Sequence, residues 1–184
     1  GADIVLVIGA EVQTTRNAKE GADFLARASH YETERGLDPF TFPAMFARRT
    51  KAYCDKFGVT PEALAPIVAK AYDNANRNPN AHMREVQMTA EQAGSASDKN
   101  PCFLENEELN PWLRVGDCSQ VSDGGCAIIL CSDKGLEKLG ECQGDPVDIV
   151  ACEVACGPLG QVADLTKMDV TAAAASKAYA QAGW

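Results

Sequence analysis

The sequence predicts an α/β fold, because two short apolar runs flank a longer stretch with repeated helix signals. Residues 4–8 (IVLVI) and 126–131 (CAIILC) are rich in branched side chains and are bounded by glycine or polar residues. Runs of this kind are typical of strands that are buried on both faces of a sheet. The intervening residues 16–116 are more polar and contain several helix caps, which predicts a mainly helical inserted region.

The first half of the chain is predicted to begin with a central parallel strand. Residues 4–8 do not alternate with polar residues, so neither face of that strand is expected to meet water. A short helix is expected over residues 18–28 in an otherwise irregular stretch. Apolar spacing then predicts a helix over residues 44–57, with Gly58 as its stop.

Two more helices are expected in the inserted region. Thr60 followed by Pro61 predicts a helix start, and that helix should run to about residue 76. Pro66 should kink this helix or delay its beginning, since proline lacks a backbone donor. Thr89 is expected to open a short helix that ends near residue 94.

The second half is organised around residues 117–131. Residues 117–125 form a turn-rich loop with paired glycines, and residues 126–131 form the second predicted strand. Ser132 should cap a helix that ends near residue 139, before Gly140. Residues 146–155 are predicted to be a further strand, and Asp169 is expected to cap a helix over residues 170–182.

Composition excludes several classes of function. The chain has 184 residues, a net charge of −9 and a pI of about 4.7, so unspecific binding to nucleic acid or to an acidic membrane surface is not expected. No apolar run approaches the length of a membrane span. The chain starts in a strand without methionine and ends on Gly183-Trp184, so we expect a segment of a larger protein.

The eight cysteines predict a reducing compartment rather than a disulfide framework. Cys126, Cys131 and Cys152 lie in apolar runs, where we expect them to behave as small hydrophobic residues. No two cysteines have C-x-x-C spacing, so no metal site is expected. An intracellular location follows from this interpretation.

Several motifs resemble the thiolase superfamily, in particular its sterol-carrier-protein branch. The segment DCSQVSDGGCAIIL at residues 117–130 is similar to D/Q-C-S/C-P-x-S-D-G-A-A-A in that branch. Gly9-Ala10-Glu11, the helix with Lys70-Ala71-Tyr72, the turn at residues 78–81 and the helix at residues 171–184 extend the resemblance over nearly the whole chain. The family often has K-N-H where this chain has Lys70-Ala71-Tyr72.

The resemblance implies a layered α/β/α thiolase fold with an inserted, mainly helical loop domain. It divides the chain into the end of the N-terminal half (residues 1–15), the loop domain (16–116), the return strand and helix of the N-terminal half (117–140) and the start of the C-terminal half (145–184).

It also implies acyl transfer to and from coenzyme A in the whole protein, by thiolytic cleavage of 3-ketoacyl-CoA or by Claisen condensation. The family's nucleophilic cysteine and its histidine match no residue of this chain, so no catalytic residue is assigned here. Coenzyme A is then a substrate, no separate cofactor or metal is implied, and a homodimer is expected. The location would be peroxisomal or mitochondrial in a eukaryote and cytoplasmic otherwise.

Four residues are candidates for binding the substrate. By resemblance, Ser119 matches the serine whose loop touches the pantetheine arm of coenzyme A, although a turn serine that bonds nearby backbone is an equal alternative. His82, Arg84 and Arg49 lie in basic stretches that suit the phosphates of coenzyme A, or that simply face solvent. Aspartates beside glycines are usually turn formers, so the aspartates of the loop receive no acid–base role.

Two other interpretations stay open. The chain is compatible with a thiolase-like protein that has lost catalysis and serves in acyl-CoA or lipid binding, or as a scaffold. It is also compatible with an unrelated α/β domain. Cys156, in Cys156-Gly157-Pro158, resembles a thiolase C-x-G element, but it lies before the predicted C-terminal helix, which is the wrong place.

Overall fold

The computed structural model describes residues 1–141, 144–160 and 162–184, which form two compact units. One unit consists of Gly1–Thr15, Val121–Cys156 and Asp169–Trp184, and the other of Arg16–Gln120 and Gly157–Met168. Helices and a small sheet occur together, so the predicted α/β class is confirmed. Cys142 lies outside the described residues.

The first unit is built on a two-stranded antiparallel ladder. Strand β1 (Ile4–Glu11) pairs with β2 (Gly124–Cys131), so that Ile4 faces Cys131 and Glu11 faces Gly124. The predicted parallel pairing is wrong here, because an apolar run reveals a tendency to be buried but not the direction of its partner. The predicted burial on both faces is also wrong: all residues of both strands are exposed, since the described residues supply too few side chains to cover the ladder.

Two polar residues secure the ends of the ladder. The carboxylate of Asp123 accepts the backbone N–H groups of Gln13 at 2.7 Å and Thr14 at 3.0 Å, so it ties the segment after β1 to the residue that precedes β2. At the other end the Ser132 amide donates to the Asp3 carbonyl at 2.9 Å. The Ser132 hydroxyl also accepts the Gly135 amide at 3.2 Å and caps helix α6, which spans Asp133–Leu139 as predicted.

The remaining part of this unit holds an extended segment and a helix. Residues 146–155 form no strand, contrary to the prediction, because no described strand pairs with them; the Cys152 amide instead donates to the side-chain oxygen of Gln181 at 2.9 Å. Helix α7 (Asp169–Ala182) begins at Asp169 itself, one residue earlier than predicted. Cys126, Cys131 and Cys152 are exposed, so their expected burial is wrong for the same reason as that of the strands.

The second unit is mainly helical. It contains α1 (Ala18–Ala26), α2 (Tyr31–Glu34), α3 (Thr41–Phe57), α4 (Ala65–Arg77) and α5 (Ala90–Gly94), joined by loops and short 3₁₀ helices. None of the described helices of the chain is both long and apolar enough to span a bilayer.

Three of the predicted start and stop signals of these helices are confirmed. Gly58 ends α3 in the left-handed conformation with φ 65°, and Thr89 caps α5 in a reciprocal pair with Gln92. Pro66 lies in the first turn of α4, and the preceding Pro61–Leu64 is a 3₁₀ helix. The delayed start predicted for Pro66 is therefore confirmed.

The core of this unit lies between α3 and the irregular stretch before β2. Small residues on α3 permit close approach of leucines from that stretch. Its buried members are Ala44, Ala47, Leu104, Leu109 and Leu113. Phe40 and Phe103 flank them in an edge-to-face contact at 5.4 Å.

Residues 164–167 are attached to α3 by charged side chains. Arg49 donates to the carbonyls of Leu165 at 2.8 Å and Lys167 at 3.1 Å. Lys56 pairs with Asp164 at 3.1 Å. Hydrogen bonds from Thr166, with that lysine adding, hold the pKa of the Asp164 carboxyl well below its usual range.

Candidate ligand cavity

A cavity of about 360 Å³ lies between α4 and residues 116–120, within the second unit. This volume falls in the range of small-molecule sites. Its lining is mostly apolar, with polar groups contributed by the loop. The lining residues are Ile67, Val68, Ala71, Tyr72, Ala75, Met83, Gly116, Asp117, Cys118, Ser119 and Gln120.

One face of α4 forms the apolar wall. Ile67, Val68 and Tyr72 share a face, as their spacing predicts, but that face lines the cavity instead of packing into the core. Tyr72 is buried, whereas Ile67 is 66% exposed. Periodicity alone identifies an apolar face of a helix. It does not show whether other side chains fill the space opposite that face, so the sequence does not predict this cavity.

Ser119 lies at the cavity, on its polar wall. Its side chain is exposed, and its hydroxyl makes no hydrogen bond with a described residue. The neighbouring Gln120 amide donates to the carbonyls of Val115 at 3.1 Å and Cys118 at 3.2 Å, which folds the loop back on itself. The Ser119 hydroxyl is thus free to donate to or accept from a ligand amide.

Cys118 is an inert thiol in this environment. It lines the cavity and also packs against the core, so burial, with the charge of Asp117 adding, raises its pKa to about 11. The protonated form therefore dominates at neutral pH. Asp117 accepts the Arg114 backbone N–H at 2.8 Å, which fits its predicted role in a turn.

His82 and Arg84 flank the cavity residue Met83. Both are exposed, and their turn is held on α4 by Asn76, whose amide donates to the carbonyls of Arg84 at 2.7 Å and Val86 at 2.8 Å. The side chain of Arg84 forms no ion pair with a described residue. The ligand roles assigned to His82, Arg84 and Ser119 remain predictions.

Arg49 is placed apart from these three residues. Its guanidinium binds the carbonyls of residues 165 and 167, and it is not among the residues that line the cavity. A ligand role for Arg49 therefore finds no geometric support, although it too remains a prediction. Among the described residues, no group of histidine, cysteine and carboxylate side chains is arranged to hold a metal ion.

Two buried polar residues behind the loop were not anticipated. Asn100 is 2% exposed and Arg114 is 3% exposed. Both lie in the inserted region of residues 16–116, which the sequence shows to be more polar, and polar side chains usually face solvent. Only the tertiary structure reveals that they are buried and hydrogen-bonded.

Comparisons with known proteins agree with this fold. No family model matches the chain. An acetyl-CoA acetyltransferase of Methanothermobacter thermautotrophicus is 30% identical over 182 residues, which cover 98% of this chain and 43% of that protein. The benzoylsuccinyl-CoA thiolase subunit BbsB of Thauera aromatica is 28% identical over 183 residues, which cover 99% of this chain and 43% of that protein.

A solved structure gives the same result for the fold. The monomeric SCP2-thiolase-like protein type 1 of Mycobacterium smegmatis superposes with a TM-score of 0.66 at 18% identity, and covers 98% of this chain and 36% of its own. The fold and the relatives together show that this chain is similar to proteins of the thiolase superfamily, as the sequence motifs predict. This chain corresponds to a segment of such a protein with an SCP2-thiolase-like fold, and it spans less than half the length of these relatives.

Proposed function

We propose that the protein containing this chain is a thiolase-type acyltransferase that acts on acyl-CoA and 3-ketoacyl-CoA. Coenzyme A would be a substrate, and no separate cofactor would be needed. The reacting cysteine and histidine would come from parts of the protein other than these 184 residues. The names of the relatives, an acetyl-CoA acetyltransferase and a thiolase subunit, support this class of reaction.

One observation supports the role in coenzyme A binding that we propose for this chain. The unbonded hydroxyl of Ser119 lies at a cavity of about 360 Å³ whose other wall is apolar. The pantetheine arm of coenzyme A combines apolar methylenes with two amides, which need hydrogen-bond partners when they leave water. We therefore assign Ser119 to one of these amides, with His82 and Arg84 on the turn beside the cavity as partners for phosphate.

The test is thiolysis of acetoacetyl-CoA by the full-length protein. Replacing Ser119 by alanine should raise the KM for coenzyme A about fivefold, the cost of about one neutral hydrogen bond. Ser119→Trp should raise it further by filling the cavity. Ala28→Trp is the matched control, since Ala28 is exposed in the same unit and does not line the cavity. Unchanged KM values in both serine variants would remove Ser119 from the site.

A second candidate is a thiolase-like protein that binds acyl-CoA without turnover. It is favoured by one observation: Ala71 and Tyr72, which depart from the family's K-N-H, both line the cavity. The departure therefore changes the chemistry of the cavity wall. Full-length protein that binds coenzyme A but shows no thiolysis or condensation would support this candidate over the enzyme.

We also propose that the ladder of β1 and β2 contributes to a homodimer interface. Its branched side chains are exposed, with Leu6 at 59%, Ile8 at 68% and Ile129 at 56%. Contiguous apolar surface of this kind is typical of interaction sites. Sedimentation of the full-length protein should show a dimer that Ile8→Asp weakens. A dimer unaffected by Ile8→Asp would place the interface elsewhere.

A further inference from the structure

Asn100 and Arg114 form a buried polar pair directly behind the cavity loop. A buried amide and a buried guanidinium are costly unless their donors and acceptors are satisfied. At 2% and 3% exposure, neither side chain can rely on bulk water. Their protein partners therefore reveal which segments the pair holds together.

Asn100 connects helix α5 to the beginning of the loop. Its side-chain amide nitrogen lies 3.2 Å from the carbonyl of Gln92, 3.3 Å from that of Ala93 and 3.4 Å from that of Ser95, at the end of the helix. These carbonyls lack partners within so short a helix. The side-chain oxygen of Asn100 accepts the Gly116 amide at 2.8 Å, which is the shortest of the four contacts.

Arg114 connects the same helix to the segment that precedes α4 and to the loop wall of the cavity. Its guanidinium donates to the Ala93 carbonyl at 3.3 Å and to Glu62 at 2.9 Å, in the 3₁₀ helix that leads into α4. The guanidinium also lies 3.8 Å from Asp117, whose carboxylate accepts the Arg114 backbone amide at 2.8 Å. One side chain thus contacts the approach to the α4 wall and the loop wall at once.

Gly116 shows how tightly the loop is seated on this pair. A Cβ atom added at Gly116 would lie 2.9 Å from the side-chain oxygen of Asn100 and 3.1 Å from the sulfur of Met88. Both distances are shorter than ordinary contacts, so any side chain at Gly116 would displace the loop from Asn100. Ser119 follows only three positions later in the chain.

We propose that Asn100 and Arg114 are positioning residues for ligand binding, which fix the spacing between the α4 wall and the Ser119 loop. This inference rests on the proposed coenzyme A site at Ser119. Neither residue lines the cavity, so both act through the segments they hold. Loss of either side chain should make the loop more mobile and thereby lower the affinity for the ligand.

The experiment measures both steps in the full-length protein carrying Asn100→Ala. Amide hydrogen exchange reports the loop through residues 116–118, and calorimetric titration reports the Kd for coenzyme A. Exchange at these amides should accelerate roughly tenfold and Kd should rise about fivefold to tenfold, the scale of one lost buried hydrogen bond. Asn74→Ala is the control, because Asn74 is exposed on α4 and lines no part of the cavity.

The possible outcomes distinguish the positioning role of Asn100 from the proposed coenzyme A site at Ser119. Unchanged exchange at residues 116–118 would overturn the inference, whatever happens to affinity. Faster exchange with an unchanged Kd in Asn100→Ala would also overturn the inference. If Ser119→Trp raises the Kd for coenzyme A in the same assay, the proposed site itself stays intact. If Ser119→Trp also has no effect on Kd, the proposed site at Ser119 is the part that fails.

A second variant guards against loss of the fold. If Asn100→Ala does not fold, Gly116→Ala displaces the loop from the same contact while keeping the Asn100 side chain, and the same two measurements apply. Gly36→Ala is its control, since a Cβ atom at Gly36 meets nothing within 4 Å. Faster exchange and weaker binding in Gly116→Ala but not in Gly36→Ala would support the inference; identical behaviour of the two would overturn it.

Discussion

Arg114→Ala should destabilise the helical unit far more than the loss of a surface arginine. The guanidinium is 4% exposed and lies 2.9 Å from Glu62 and 3.8 Å from Asp117. The contact with Glu62 contributes little, because that carboxylate is 59% exposed and is screened by water. Asp117 is only 11% exposed, so removing its cation leaves a poorly solvated charge, and the Ala93 carbonyl also loses a donor.

These losses together correspond to about 3 kcal/mol, at the low end for breaking a buried ion pair. With a urea dependence of about 1.5 kcal/mol per molar, the unfolding midpoint should fall by about 2 M. Circular dichroism at increasing urea measures this shift. Arg77→Ala is the control, because Arg77 pairs with Asp73 on the surface at 74% exposure and should change stability by no more than about 0.5 kcal/mol. Equal midpoints for the two variants would refute the reasoning.

Three other predictions follow from individual groups. With a pKa of about 11, Cys118 should react with iodoacetamide at pH 7 about 300 times more slowly than an ordinary thiol. Peptide mapping measures this rate against that of the exposed Cys152. Comparable rates for the two cysteines would contradict the burial of Cys118. Gly58→Ala should cost about 1 kcal/mol in thermal unfolding, because φ is 65° there, whereas Gly36→Ala should cost less. The pKa of Asp164 is depressed in the folded state, so its contribution to stability is complete above about pH 4 and declines as pH falls below that value. The protection of amides near residue 164 against hydrogen exchange, relative to the intrinsic exchange rate at each pH, should therefore fall in acid in the original chain, and an equal loss of protection in Asp164→Asn would be the contrary result.

Local sequence was sufficient for the longer helices, because their boundaries are set by neighbouring residues, whereas the four-residue helix α2 was not predicted. Gly58 ends α3, Thr89 caps α5 and Ser132 caps α6, each as predicted. Helix α3 begins at Thr41, three residues before the predicted start at residue 44, since the proline at position 43 is tolerated in a first turn. Each of these contacts joins residues only a few positions apart.

Long-range features were not predictable in the same way. The apolar run at residues 4–8 indicates a strand but not its antiparallel partner, and residues 146–155 form no strand because pairing depends on distant residues. Ser119 was found through resemblance to a motif. Asn100 was missed, since no local pattern shows that a loop asparagine binds carbonyls from a helix and an amide 16 positions later.

The carboxylate of Asp123 has a consequence for how the chain tolerates rearrangement. It holds the backbone of Gln13 and Thr14 just beyond the paired residues Glu11 and Gly124. Residues Arg16–Gln120 belong to the helical unit. The chain therefore leaves the ladder unit and returns to it within a few residues of this contact. A chain in which a tight turn replaced these residues is expected to keep the eight pairs of the ladder, whereas Leu165 and Lys167 would lose their hydrogen bonds with Arg49.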